Sequence, residues 1–185
     1  MNKIIFISGP CGSGKTTFSD AYARELAEQT HRTVYVIHGD SFHDGFVEPE
    51  TGGNFDADGQ PVDPVRWEDI LAFNWDCMLF AADRALQQRV DVVIDYVIED
   101  ELPRVKALAK AHGAALYYIV LTANAQEIVR RIRQRGDTEL IDRALFLKQK
   151  LETLPMNQGH IYDNTGKTSA DAIREIELEK YLVEY

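Results

Sequence analysis

The sequence predicts an α/β protein built on a buried parallel sheet. Short apolar runs rich in Ile, Val and Tyr alternate along its 185 residues with longer amphipathic stretches, the rhythm of βαβ units whose strands are covered on both faces. A glycine-rich loop stands between the first apolar run and the first amphipathic one. With 45% hydrophobic and 27% charged residues the chain has material for one sizeable core, so the reading is a single domain over residues 1–185.

Five strands are expected, at residues 4–8, 34–38, 92–95, 116–121 and, more weakly, 160–162. The first helix begins at Lys15 and sets Phe18, Tyr22 and Leu26 on one face at i, i+4 and i+8. A second covers about 64–89, with Asp63 as its N-cap and Pro64 in its first turn. The third spans about 99–112 and stops at Gly113. Two more cover about 124–135 and 137–154, and the last about 169–181. Residues 39–63 have no periodicity but carry five glycines and two prolines, and a connection this long leaving a strand end reads as a binding loop. With the helix that follows it makes an acceptor region over about 39–89.

Twenty Lys and Arg against thirty Asp and Glu give a net charge of −10, which argues against nucleic-acid and anionic-membrane partners. No apolar run approaches the roughly 18 residues of a membrane span, and the run at 4–7 is too short for a signal peptide. The expectation is a cytoplasmic chain starting at or near Met1. Cys11 and Cys77 have neither metal-ligand nor CxxC spacing, so neither a disulfide framework nor a zinc site is expected.

Gly9-Pro10-Cys11-Gly12-Ser13-Gly14-Lys15-Thr16 matches the phosphate-binding pattern GxxxxGK[ST] in full, between a strand and a helix as its mechanism requires. Gly9, Gly12 and Gly14 let the backbone wrap a phosphate with inward N–H groups. Lys15 reaches the β- and γ-phosphates, and Thr16 offers its hydroxyl to Mg²⁺. Ser13 and Thr17 add hydroxyls or serve as helix-start residues, while Cys11 reads as a small filler.

Four later segments make the chain resemble the small P-loop kinases that phosphorylate nucleosides, nucleotides, gluconate, shikimate or antibiotics. Gly39-Asp40-Ser41-Phe42-His43 resembles the acceptor element of uridine and gluconate kinases. Val92-Val93-Ile94-Asp95 resembles their apolar strand ending in an acid. The segment from Arg130 to Asp137 resembles the arginine-bearing lid, and Tyr162 to Lys167, with Asn164 and Gly166, the late loop near the adenine. This resemblance implies a three-layer P-loop NTPase fold, with a five-stranded parallel sheet in order 2-3-1-4-5. It also implies ATP as donor with Mg²⁺, a small-molecule acceptor, and closure of 39–63 and a lid at about 124–150 over substrate.

Asp40, at a strand end beside the long loop, reads as the base that accepts the acceptor's proton, or as a turn cap. Asp95 reads as a Mg²⁺-organising or substrate-orienting acid. Arg131 and Arg135, at i and i+4, are the donors expected to meet charge on the transferred group. From Asn124 to Lys150 the net charge is +3, leaving −13 elsewhere. From Asp40 to Asp76 ten acids face only Arg66, which points to a neutral or cationic acceptor, such as a nucleoside, a polyol or an amino-bearing natural product, because phosphorylated acceptors recruit cations. Phe42, His43 and Trp67 are candidate acceptor contacts; Phe42, Phe46, Phe55, Trp67, Phe73 and Trp75 could stack a ring, although most of them are expected in the core. His38, His43 and His160 are candidate substrate contacts or, as isolated histidines near strand ends, structural or exposed.

The competing functions are a nucleotide-hydrolysing switch and a kinase of a macromolecular or cell-wall precursor. No NKxD guanine-reading pattern is present, which argues against a Ras-like GTPase. Monomer and homodimer both remain open.

Overall fold

The computed structural model describes residues 1–50 and 52–184; Thr51, inside the expected acceptor loop, and Tyr185 lie outside the described residues. The main sheet consists of β1 (Lys3–Ser8), β2 (Val34–His38), β5 (Asp91–Asp95), β6 (Ala115–Thr122) and β7 (Ile161–Asp163). All neighbours pair in parallel, in the order β2-β5-β1-β6-β7. Two short antiparallel strands that the sequence did not suggest, β3 (Asn54–Phe55) and β4 (Pro61–Val62), form a separate hairpin. Numbered without that hairpin, the main sheet runs 2-3-1-4-5.

The central strands are buried on both faces, and their alternating residues separate two cores. Ile4, Phe6, Val92, Ile94, Leu116, Tyr118 and Val120 face one way. They pack against α3 (Trp67–Gln87), α4 (Leu102–His112) and α6 (Ile141–Thr153) through Trp75, Met78, Val105 and Leu151. Ile5, Ile7, Val93, Tyr117, Ile119 and Leu121 face α1 (Lys15–Thr30) and α7 (Ser169–Glu175), meeting Phe18, Tyr22, Leu26 and Ala172. A third cluster joins Ile128 and Ile132 of α5 (Ala125–Arg135) to Ala123, Ala144 and Cys11, so the expected lid helix packs on the glycine-rich loop.

Helix boundaries shift where local bonds outweigh the start signals. Helix α3 begins at Trp67, not Pro64, and its N-cap is Arg66, not Asp63. The chain before it is extended because Pro61 and Val62 pair with β3 and the Val65 amide donates to Glu48 Oε1 at 3.1 Å. Helix α4 begins at Leu102 because the Glu101 carboxylate accepts from the amides of Glu99 and Asp100, holding them outside the helix. Gly113 ends it at φ 55°, as expected. Helix α7 stops at Glu175, after which Ile176 is extended and a short 3₁₀ turn covers Leu178–Tyr181. No helix among the described residues is long and apolar enough to cross a membrane.

Candidate active site

Because every main strand is parallel, the loops after Ser8, His38, Asp95, Thr122 and Asp163 gather at one edge, where open α/β sheets bind ligands. The loops after Ser8, His38 and Asp163 carry or lead into expected site residues, Asp95 ends β5 itself, and Arg131 and Arg135 stand on the helix that follows Thr122.

The glycine-rich loop has the backbone its pattern demands. Gly9, Gly12 and Gly14 all have positive φ. A Cβ at Gly9 would stand 2.2 Å from the Leu121 carbonyl oxygen, and one at Gly12 2.9 Å from Ile132 Cγ1, so no larger residue fits. Lys15 is buried, its Nζ donating to the Pro10 carbonyl across a long 3.4 Å. Thr16 and Thr17 are exposed at the start of α1. Ser13 is fully buried: its amide donates to the Pro10 carbonyl at 3.2 Å, and its hydroxyl has no partner among the described residues.

Thr16 Oγ1 donates to Asp95 Oδ1 at 3.1 Å, joining the glycine-rich loop to the end of β5. A hydroxyl beside a carboxylate is a hard-oxygen pair suited to Mg²⁺, which completes its shell with phosphate oxygens and water. Asp95 Oδ2 meets His38 Nδ1 at 2.5 Å, and His38 Nε2 lies 3.3 Å from Asp20 Oδ1. Burial alone would lower the His38 pKa, but the hydrogen bond and charge of Asp95, with Asp20 behind, carry it above its ordinary value.

Asp40 opens a single turn, α2 (Asp40–His43), directly after β2, and its side chain is exposed. The turn is fixed from two sides. The Gly39 amide donates to the Asp95 carbonyl at 2.9 Å. The buried Asn74 of α3 bridges His43 Nδ1 and the Tyr96 hydroxyl, each at 3.0 Å. Asp40 and Asp95 therefore stand at adjacent strand ends, while Phe42 packs partly into the core and His43 lies edge-on to Trp67 with ring centres 5.5 Å apart.

The aromatics of this region correct the expectation of a core. Trp75 is buried, but Phe46, Phe55, Trp67 and Phe73 are exposed, Trp67 by 53%. Phe46, ahead of the hairpin, and Phe73 of α3 meet each other edge-on with ring centres 5.1 Å apart. In charge, Arg66 pairs with Asp69 and Arg104 with Asp76, so a second arginine opposes the acids. From Asp40 to Asp63 no acid meets a Lys or Arg at ion-pair distance among the described residues.

On the other flank, Arg131 is spent on the loop itself. Its Nη1 donates to the Ser13 carbonyl at 3.1 Å and Asn164 Oδ1 at 3.0 Å, and its Nε to Glu127 at 2.8 Å. Asn164 Nδ2 donates to the same Ser13 carbonyl. Gly166 turns the chain just beyond, at φ 70°. Arg135 is half exposed and reaches Cys11 Sγ at 3.1 Å and Asp137 at 2.8 Å. The two arginines share a face, as their spacing suggested, but only Arg135 keeps a guanidinium largely open to solvent.

A family model described as an AAA domain matches residues 5–152, well over half of the chain. The chain belongs to the AAA domain family. Within this family's fold, the chain is similar to a solved tunicamycin resistance protein of Deinococcus radiodurans, 18% identical over 100% of both chains with a TM-score of 0.61. It is also similar to a Mycobacterium tuberculosis APS kinase solved with AMPPNP and APS, 15% identical over 94% of each chain with a TM-score of 0.60. A Sinorhizobium meliloti gluconokinase is 19% identical, with 97% of this chain and 91% of that one covered and a TM-score of 0.55. No curated protein matches the sequence. These likenesses show that this AAA domain has the P-loop kinase fold.

Asp20, Asn74 and Glu127 were not among the expected site residues, and the tie of His38 to Asp95 was not expected. One signal for His38 was present: in a 2-3 strand order, the residue before Gly39-Asp40 lies in register with Asp95.

Proposed function

We propose that the protein is an ATP-dependent phosphotransferase that moves the γ-phosphoryl group to a hydroxyl of a small, neutral or cationic molecule. The observation that carries this reading is the meeting of Thr16 with Asp95 at one strand end while Asp40 opens the turn at the next. A hydrolase needs the first pair; an exposed carboxylate on a separate turn, on a segment that also carries exposed aromatics, suits an acceptor. Similar folds named gluconokinase and APS kinase support transfer to a small molecule.

In this reading the glycine-rich loop, from Gly9 to Thr17, cradles the phosphates with its amides. Lys15 exchanges its long bond to Pro10 for phosphate oxygens. Thr16 and Asp95 would hold Mg²⁺, which when bound neutralises phosphate charge. Asp40 takes the acceptor proton as the acceptor oxygen bonds to the γ-phosphorus and the bond to the β–γ bridging oxygen breaks, releasing ADP. Arg135 turns to the charge spread over the transferred group, while Arg131 and Asn164 keep the loop in shape. Phe42, His43 and Trp67 line the acceptor side. The acids from Asp40 to Asp63, none at ion-pair distance from a Lys or Arg among the described residues, favour a neutral or cationic acceptor over a phosphorylated one.

The test is ADP release from Mg-ATP across pools of nucleosides, nucleoside monophosphates, sugar acids, polyols and aminoglycosides, with Lys15→Ala as the blank. Release driven by a pool of neutral or amino-bearing acceptors is expected. Saturable turnover of a nucleoside monophosphate at low concentration would sink the acceptor class, and release indifferent to every pool would favour hydrolysis or a macromolecular acceptor.

A further inference from the structure

Four side chains from three elements close a ring beside the glycine-rich loop. Thr16 and Asp20 lie one turn apart on α1, a spacing that puts both on one helix face. Thr16 reaches Asp95 Oδ1 at 3.1 Å, Asp95 Oδ2 reaches His38 at 2.5 Å, and His38 returns to Asp20 at 3.3 Å. The parallel register of β2 and β5 sets His38 directly beside Asp95, on the same face of the sheet.

We infer that His38 is a positioning residue, braced by Asp20, that fixes the Asp95 carboxylate so that its other oxygen stays on the Thr16 hydroxyl. This rests on the reading of Thr16 and Asp95 as the Mg²⁺-organising pair. A carboxylate on a single Cβ turns about its Cβ–Cγ bond unless both oxygens are held, and Asp95 is only 1% exposed, so water offers no substitute partner. Its Oδ1 is held by a mobile-ended hydroxyl and its Oδ2 by the imidazole alone among the described residues. Asp20 contributes by holding the ring's far nitrogen, which sets the ring plane.

The geometry separates this role from plain packing through two substitutions of the same residue. In His38→Asn the amide nitrogen stands close to the place of Nδ1 and can still donate to Asp95, but nothing reaches Asp20. In His38→Gln the amide extends toward Asp20 and leaves Asp95 unheld.

The experiment is a Mg²⁺ titration of ATP binding by calorimetry on the full chain, with ATP affinity in EDTA and thermal unfolding in parallel. His38→Ala and His38→Gln should raise the Mg²⁺ midpoint about tenfold or more, the usual cost of losing a group that orients a metal ligand, with metal-free ATP affinity unchanged. His38→Asn should stay near the unchanged chain, and Asp20→Asn should fall between. An unchanged midpoint in His38→Gln, equal losses in the Asn and Gln variants, or an equal fall in metal-free affinity would overturn the inference. If His38→Ala does not fold, the Asn, Gln and Asp20 variants decide it. Absence of any Mg²⁺-dependent ATP binding in the unchanged chain would overturn the nucleotide reading itself, and this inference with it.

Discussion

Asn164 donates from its side-chain amide to the carbonyl of Ser13 at 2.8 Å, tying the loop after the last strand to the glycine-rich loop after the first. Arg131 binds both residues from the side. The Ser13 carbonyl is thus satisfied by side chains of two later elements, which fixes the backbone of the glycine-rich loop at that residue. Asn164→Ala removes two of these bonds, the one it donates to Ser13 and the one it accepts from Arg131, inside a buried knot and should cost about 1–3 kcal/mol of stability, with a fall in ATP affinity. Chemical denaturation and ATP titration check it; unchanged values in both would show that the knot is incidental.

Arg131 and Arg135 of α5 should separate. Arg131→Ala takes from Glu127 one of its two arginine partners and removes a donor from the Ser13 carbonyl and from Asn164 Oδ1, so it should lower the unfolding midpoint and ATP affinity together, and Arg131→Lys should not rescue it because one ammonium cannot span those positions. Arg135→Ala touches a half-exposed side chain and should change stability by less than about 0.5 kcal/mol, while turnover falls ~10²-fold or more. Thermal unfolding beside steady-state kinetics tells them apart.

Asp40→Asn keeps the shape of the turn and removes the base. Turnover should drop by ~10²–10⁴-fold with ATP binding little changed, a split between kcat and nucleotide affinity. An intact kcat would return Asp40 to the role of a turn residue.

Gly39 has an ordinary helical φ of −61°, so its reason for being glycine is space. A Cβ there would stand 2.3 Å from the Tyr96 ring and 2.6 Å from Met78 Sδ. Gly39→Ala should therefore destabilise by about 1–3 kcal/mol through overpacking and slow turnover by displacing Asp40. A melting temperature equal to that of the unchanged chain would refute the clash.

Acid should loosen α5 through Glu127. Its hydrogen bond to Arg130, with that to Arg131, holds its pKa down from 4.5 to about 2. A carboxyl depressed on folding contributes stability that is full above its unfolded value and is lost as pH falls through its folded one. The loss should therefore run between about pH 4.5 and 2, and Glu127→Gln should flatten that part of the denaturation profile. A variant profile parallel to that of the unchanged chain would contradict it.

Much of the frame was legible in the sequence because each glycine-rich-loop position is bound to one backbone need, and because β-branched runs fix strands wherever both faces are buried. Gly9, Lys15 and Thr16 could be placed by pattern alone. Asn164 could not be tied to Ser13, since the bond spans 151 residues and depends on how the first and last loops meet. His38 looked like an ordinary strand-end histidine until β2 lay beside β5. The start of α3 was misplaced because Asp63-Pro64 is a strong local start signal, overridden by the pairing of Pro61 and Val62 and the hold of Glu48 on the Val65 amide. The hairpin of Asn54–Phe55 with Pro61–Val62 was announced by no periodicity.

The most direct test of the central claim is to follow the γ-phosphoryl group itself, with labelled ATP, Mg²⁺ and the acceptor pool that drives ADP release. The account predicts label in the acceptor, equal in amount to the ADP formed, and none with Lys15→Ala. Label found only as inorganic phosphate, at a rate indifferent to the acceptor, would contradict it.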